Sequence, residues 1–308
     1  MIILQIVNTG IPITSADNDR YIRQLTETYP FCSTREIAAT AFGRPIRTLE
    51  FGTGPRKFLL SASHHANEWI TSLVLLKYAE DFCAEAAEDP SLLEQVSVCM
   101  VPMVNPDGVD LVTGAIPADS APYESARRLA ENYPNIPFPN GWKADLQGVD
   151  LNLQYPAGWL MAREIKFSQG FTRPGPRDYV GRAPLTQVEA QAMEELTDAF
   201  DPHVVIAFHS QGQVIYWQFR DFVIPGAREL GEAMAQASGY ALSETPYNSS
   251  FAGYKDWFIQ EFRRPGYTVE VGSGVNPLPI EQFDAIYRAC KPLLDAAFSF
   301  TDTEMFPG

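Results

Sequence analysis

Residues 57–78 read KFLLSASHHANEWITSLVLLKY. The opening KFLLSAS is a continuous apolar run without polar alternation, the mark of a strand buried on both faces. Directly after the two histidines, Trp69, Ile70, Leu73, Val74 and Tyr78 recur at helical spacing through EWITSLVLLKYAEDFCAEAA, which predicts a helix with one apolar face. A buried strand that runs straight into a helix is the repeating unit of an α/β sheet. Functional side chains in such sheets gather where strands end, and His64 and His65 stand at such an end.

The same pattern recurs on either side. NDRYIRQLTETYP reads as an opening helix that stops before Pro30, and EIAATAF and IRTLEFG as strands around Gly43-Arg44-Pro45. VSVCMVPMV is a second buried strand, followed by NPDG at 105–108, a turn sequence. From 114 to 185 the chain is rich in Pro, Gly and Asn, and long ordered loops with one helix at SARRLAENY are expected. LTQVEAQAMEELTDAF carries Thr186 and Glu189 at capping-box spacing. HVVIAFHS, QVIYWQF and YTVEVG read as strands; ARELGEAMAQASG, GYKDWFIQEF and IEQFDAIYRACKPLLDAAFSF read as helices. The expectation is an α/β fold with a mixed, largely parallel central sheet and helices on both faces, built as one domain over residues 1–308.

Composition narrows the partners. The chain has 308 residues, 45% of them hydrophobic, and a net charge of −15, which argues against nucleic acid and anionic membranes. No stretch approaches the ~20 apolar residues of a membrane span. The N-terminus lacks a basic region and its apolar run is short for a signal peptide. Cys32, Cys83, Cys99 and Cys290 are widely spaced and form no C-x-x-C pair. Buried thiols in a protein that stays in the cytoplasm are expected.

Three strand ends deliver chemistry. His65 is followed three residues later by Glu68, whereas the residue three after His64 is Asn67. His209 ends HVVIAF, and Glu270 lies between Val269 and Val271, where an acid is costly unless it faces a polar site. A catalytic zinc takes three N or O ligands and leaves a position for water. His65, Glu68 and His209 meet that requirement, and Glu270 is then placed to move a proton between water and a leaving nitrogen. Each residue alone has an ordinary structural explanation: a capping pair, a core histidine, a buried ion-pair partner. All of them ending strands of one sheet makes that explanation insufficient.

At these residues the chain resembles the funnelin-type zinc carboxypeptidases, from about residue 15 to 300. HHANEW resembles the family's His-x-x-Glu-Trp, NPDG its turn after a central strand, GVDLN at 148–152 its Gly-x-Asp-x-Asn segment. FHSQ carries the third ligand, His209, and TVEVG the general base, Glu270. The resemblance implies one Zn²⁺ per chain on His65, Glu68 and His209. It implies that Asp150 accepts the second ring N–H of His65 and that Asn152 bonds the substrate. Tyr247, in YNSSFAGYKDW, matches the tyrosine of the family's mobile loop that caps the substrate. The family's oxyanion arginine has no match. Lys143 in NGWKAD is the nearest cation, with Arg127 and Arg128 further back on an expected helix.

Leu153 departs from the family's exopeptidases, in which an arginine follows the asparagine and grips the C-terminal carboxylate. Leucine has no donor and no charge. HANEW with GVDLN resembles instead a bacterial branch that cleaves γ-D-glutamyl bonds to diamino acids such as diaminopimelate in cell-wall peptides. Arg173, Arg177 and Arg182, in GFTRPGPRDYVGR, are then the candidates for receiving a substrate carboxylate. The alternatives are a metallocarboxypeptidase of another specificity, a deacylase of small N-acyl amino acids, and a zinc-bearing binding module. The retained Glu270 argues against the last.

Overall fold

The structure is a computed structural model that describes residues 5–302, 305 and 306. Thr14 caps α1 (Ser15–Thr28) through a reciprocal box with Asp17. β1 (Glu36–Ala39) and β2 (Pro45–Arg47) form a small antiparallel ribbon. β3 (Leu49–Phe51) enters the main sheet, followed by β4 (Arg56–Ala62), α2 (Ile70–Glu88) and β5 (Val96–Val101). α3 (Pro106–Val112), α4 (Ala121–Ala130), α5 (Trp159–Ser168) and α6 (Val188–Phe200) come next. β6 (Val204–Ser210), β7 (Val214–Tyr216), α7 (Ala227–Ser238), β8 (Ala241–Ser243), α8 (Tyr254–Phe262), β9 (Gly266–Val271) and α9 (Phe283–Ser299) complete the order.

The main sheet has seven strands in the order β3-β5-β4-β6-β9-β7-β8. Four of its six pairings are parallel, the mixed and largely parallel sheet expected. Alternate residues of the central strands serve two cores. Phe58, Leu60, Val204, Ile206 and Phe208 pack with α1, α2, α7 and α9 on one face. Leu59, Val205 and Ala207 pack with α5, α6 and α8 on the other. Burial on both faces is why these strands lack polar alternation. Leu60 is fully buried at the centre, so Leu60→Ala is expected to lower unfolding free energy by about 2–5 kcal/mol. Urea denaturation measures this, and a loss below 1 kcal/mol would contradict the packing.

Three local expectations are corrected. NPDG opens a helix: Asn105 Oδ1 accepts from Gly108 N and Pro106 takes the first helical position. Thr186 does not cap α6. Its N–H and hydroxyl, together with the N–H of Gln187, donate to Gln154 Oε1, so a distant side chain takes the place of the local box. The 114–185 stretch also holds a helix that its composition hid, α5, started by left-handed Gly158. All four cysteines are free and buried, with Cys32 Sγ 3.3 Å from Cys83 Sγ. Among the described residues, no helix is long and apolar enough to cross a membrane.

Candidate active site

The turn after β4 is tied to the start of α2. Ser63 N donates to Thr71 Oγ1 (3.1 Å), the Ser63 and Ser72 hydroxyls lie 2.7 Å apart, and Thr71 Oγ1 donates to Glu68 O (2.7 Å). This sends the chain through a 3-10 turn at Ala66–Glu68 and aims His65 and Glu68 at the strand ends. Gly108 of NPDG is needed for close approach: a Cβ there would lie 2.7 Å from both Ala144 O and Ala66 Cβ. Asn105 Nδ2 donates to Ala144 O (3.0 Å), and Ala66 N to Lys143 O (3.0 Å). The 142–146 loop is thereby fixed against the turn, with Lys143 over the site.

His65, Glu68 and His209 converge. His65 Nδ1 lies 2.9 Å from Glu68 Oε1, His209 Nδ1 3.0 Å from Glu68 Oε2, and the two Nδ1 atoms are 3.1 Å apart. Ligand atoms from all three lie within 4.8 Å of one another, and all three residues are buried. Tetrahedral zinc with N and O ligands at 2.0–2.1 Å separates its donors by about 3.3 Å. Two imidazole nitrogens converging on each other around a carboxylate is a donor set that fits this ion. Burial opposes charge on His65, yet Glu68 and Asp150 outweigh it and raise the ring to about 9. Burial likewise opposes ionisation of Glu68, but His65 and Lys143 hold its carboxyl well below the usual range. Burial lowers His209, keeping it neutral. His64 has no place in this set. It is fully buried, its Nε2 3.2 Å from Tyr155 Oη and its ring stacked between His209 and Tyr254.

The supporting groups come from one loop system. Asp150 Oδ1 faces His65 Nε2 at 3.1 Å and accepts from Asn152 N (3.2 Å), while its Oδ2 accepts from Asp178 N (3.1 Å). Asn152 lines the cavity, and its Oδ1 accepts from Tyr254 N (3.0 Å). Glu270 stands beside His209 in the β6/β9 register, its neighbours Val269 and Val271 serving the opposite core. Burial, reinforced by the Glu68 charge, pushes Glu270 up to about 8. Lys143 Nζ lies 3.3 Å from Glu68 Oε1, and Glu68 raises it although burial opposes its charge.

These groups line a cavity of about 200 Å³ that holds His65, Lys143, Asp150, Asn152, His209 and Glu270. It meets a larger groove of about 920 Å³ along Asn67, Asn140, Gln211 and Asn276. Of the three arginines expected near the substrate, Arg177 alone lines the cavity. Pro176 O accepts from Lys143 N and Ala144 N, which pins this point of the loop inward. Arg173 and Arg182 lie apart from it: both are exposed and neither lines the cavity or the groove, and Arg173 reaches Asn132. Tyr247 also lies outside. It is 63% exposed, with its hydroxyl 3.6 Å from Met161 Sδ and its ring against Phe251.

Sequence reasoning missed Lys166, Asp178 and Lys255, which line the cavity. Asp178 takes a left-handed φ of 64°, costing about 1–2 kcal/mol in a non-glycine residue. Its side chain pairs with Lys166 (2.6 Å) and Arg177 (2.6 Å). Lys255 pairs with Asp256 (2.6 Å) and donates to Gln218 O (2.7 Å). Only the alternation of cations and an acid between 166 and 178 marks the first group in the sequence.

The chain is similar to known proteins over most of its length. Residues 19–290 match the family model described as zinc carboxypeptidase. The chain is 42% identical over 275 residues to gamma-D-glutamyl-L-diamino acid endopeptidase 1 of Lysinibacillus sphaericus, covering 87% of this chain and 67% of that protein. It is 38% identical to the uncharacterized protein YqgT of Bacillus subtilis, covering 92% of this chain and 76% of that one. In fold it resembles bovine thrombin-activatable fibrinolysis inhibitor, with a TM-score of 0.73 at 15% identity over 94% of this chain and 97% of that one. With the matched region spanning most of the length and containing every strand end of the site, the chain belongs to the zinc carboxypeptidase family and is a metallopeptidase.

Proposed function

We propose that the protein hydrolyses γ-D-glutamyl bonds to diamino acids in cell-wall-derived peptides, with one zinc per chain on His65, Glu68 and His209. The 42% identity to an endopeptidase of that name carries the substrate class. Leu153, buried in the cavity wall where a carboxypeptidase needs an arginine, supports it. Four free, buried cysteines fit a reducing compartment, and a single peptidase domain acting in the cytoplasm is part of this reading.

Zinc, when bound, supplies a Lewis acid and makes water acidic enough to attack near neutral pH. The chain does the rest. Asp150 holds His65 in the tautomer that leaves Nδ1 free for the ion. Glu270 takes the proton of the attacking water on its carboxylate and returns it to the leaving nitrogen. Lys143 stabilises the oxyanion from the side of Glu68. Asn152, on the cavity wall with its Oδ1 held by Tyr254 N, donates its amide N–H to the substrate beside the scissile bond.

The test is incubation of the zinc-loaded protein with L-Ala-γ-D-Glu-diaminopimelate, with products identified by mass spectrometry. Release of free diaminopimelate is expected. Hippuryl-phenylalanine and hippuryl-arginine, which are α-linked and lack the γ-D-glutamyl acyl portion, should be at least about 10-fold poorer substrates. Faster hydrolysis of either would overturn the substrate class, and rapid turnover of small N-acyl amino acids would favour the deacylase alternative.

A further inference from the structure

We propose that Lys166 and Arg177, held side by side on Asp178, form the receptor for a carboxylate of the leaving amino acid. This rests on the peptidase reading above and names the group that replaces the arginine absent at Leu153. The two cations come from different elements, Lys166 from α5 and Arg177 from the loop after it. Asp178 joins them: its Oδ1 is 2.6 Å from Lys166 Nζ and its Oδ2 accepts from Arg177 Nε at 2.6 Å. Two cations on one carboxylate leave one positive charge uncompensated. Arg177 uses only Nε for Asp178, so its two terminal amino groups stay available as a fork that matches a carboxylate.

The other cations of the cavity are committed. Lys143 sits against Glu68 at 3.3 Å, and Lys255 is paired with Asp256 and donates to Gln218 O. The acids that face the cavity have partners of their own or chemical work: Asp150 with His65, Asp256 with Lys255, Glu270 on the reaction path. Leu153 completes this wall with an apolar surface. The left-handed backbone at Asp178 points to a placement maintained against local preference. It aims the Asp178 N–H at Asp150 Oδ2, whose other oxygen faces His65. The receptor and the candidate metal ligand therefore share a rigid frame, and both cations are positioned before substrate arrives. The lobe lined by Lys166 measures about 200 Å³ against about 920 Å³ for the groove. The smaller lobe suits the single leaving residue, the groove the longer acyl portion.

The experiment compares L-Ala-γ-D-Glu-diaminopimelate with the same tripeptide bearing an α-carboxamide on its last residue. The parent protein should prefer the acid by about 10-fold or more in kcat/KM, mostly through KM. In Lys166→Met, Arg177→Met and Asp178→Asn that ratio should fall toward one. Asp178 acts through the two cations, so Asp178→Asn should move the acid-to-amide ratio rather than the rate on both substrates alike. Calorimetry of diaminopimelate binding to the zinc-loaded proteins reads the receptor without turnover, and the same variants should bind about 10-fold more weakly. Variants that keep the preference and the affinity, or a parent that never distinguishes acid from amide and does not bind diaminopimelate, would overturn the receptor. If the parent cleaves neither tripeptide yet binds diaminopimelate through these residues, the receptor stands and the substrate reading falls.

Discussion

Glu270→Gln is expected to lower turnover by at least about 10²-fold while zinc content and KM stay close to the parent's. Glutamine keeps the size of the side chain and a hydrogen-bonding oxygen, so the cavity wall is preserved; it cannot accept the proton. The site places this demand on Glu270 because no other acid there is unengaged. Glu68 is enclosed by two histidines and Lys143, and Asp150 is bound to His65, Asn152 N and Asp178 N. Burial and the Glu68 charge push Glu270 up to about 8, and a dication at the neighbouring ligands brings it back toward neutrality. A group in that range takes a proton from water and gives it to an amine leaving group with little loss at either step. Steady-state kinetics with the γ-D-glutamyl tripeptide, alongside metal analysis, decides the point. Activity within a few-fold of the parent would remove Glu270 from the mechanism.

The parts of this site that could be read in the sequence are those set by local signals. A strand buried on both faces announces itself by lacking alternation, as in KFLLSAS and HVVIAF, and its end is where a histidine becomes informative. Phe58, Leu60 and Ala62 serving one core while Leu59 serves the other explains why that signal was strong. Glu270 between two valines was legible for the same reason. What failed depends on partners far along the chain. Thr186 has the spacing of a cap but bonds Gln154, thirty-two residues away. NPDG resembles a turn, yet its asparagine caps α3 and its glycine exists to meet Ala144. Three arginines in a Gly- and Pro-rich loop are equivalent on paper; the backbone bonds to Pro176 O bring Arg177 inward and leave the others in solvent. Lys166 sits on a helix that composition concealed, and its partner Asp178 twelve residues on gives no periodic cue.

Loss of either histidine ligand is expected to abolish near-stoichiometric zinc and, with it, hydrolysis. In His65→Ala or His209→Ala the remaining two groups cannot complete a three-ligand catalytic site, and removing His65 also leaves Glu68 buried between Lys143 and a neutral ring. Asp150→Asn is milder: the ring loses its carboxylate partner but stays in place, for about 10–100-fold weaker binding. The pH dependence follows from the proton that occupies the site without the ion. His65 is raised to about 9 by Glu68 and Asp150, against the effect of burial, so near pH 7 the metal-free protein carries a proton on a ring whose Nδ1 the ion requires. Zinc binding must expel it. Apparent affinity should therefore rise by at least about tenfold per pH unit up to about 9 and flatten above. At least about one proton per zinc should be released near pH 7, with Glu270, pushed up to about 8 without the ion, giving up part of its own. Calorimetry in buffers of different ionisation enthalpy measures that release directly, and metal analysis after dialysis measures retention in each variant. Full zinc retention in both alanine variants, or an affinity indifferent to pH between 6 and 9, would contradict the assignment of His65 and His209 as ligands.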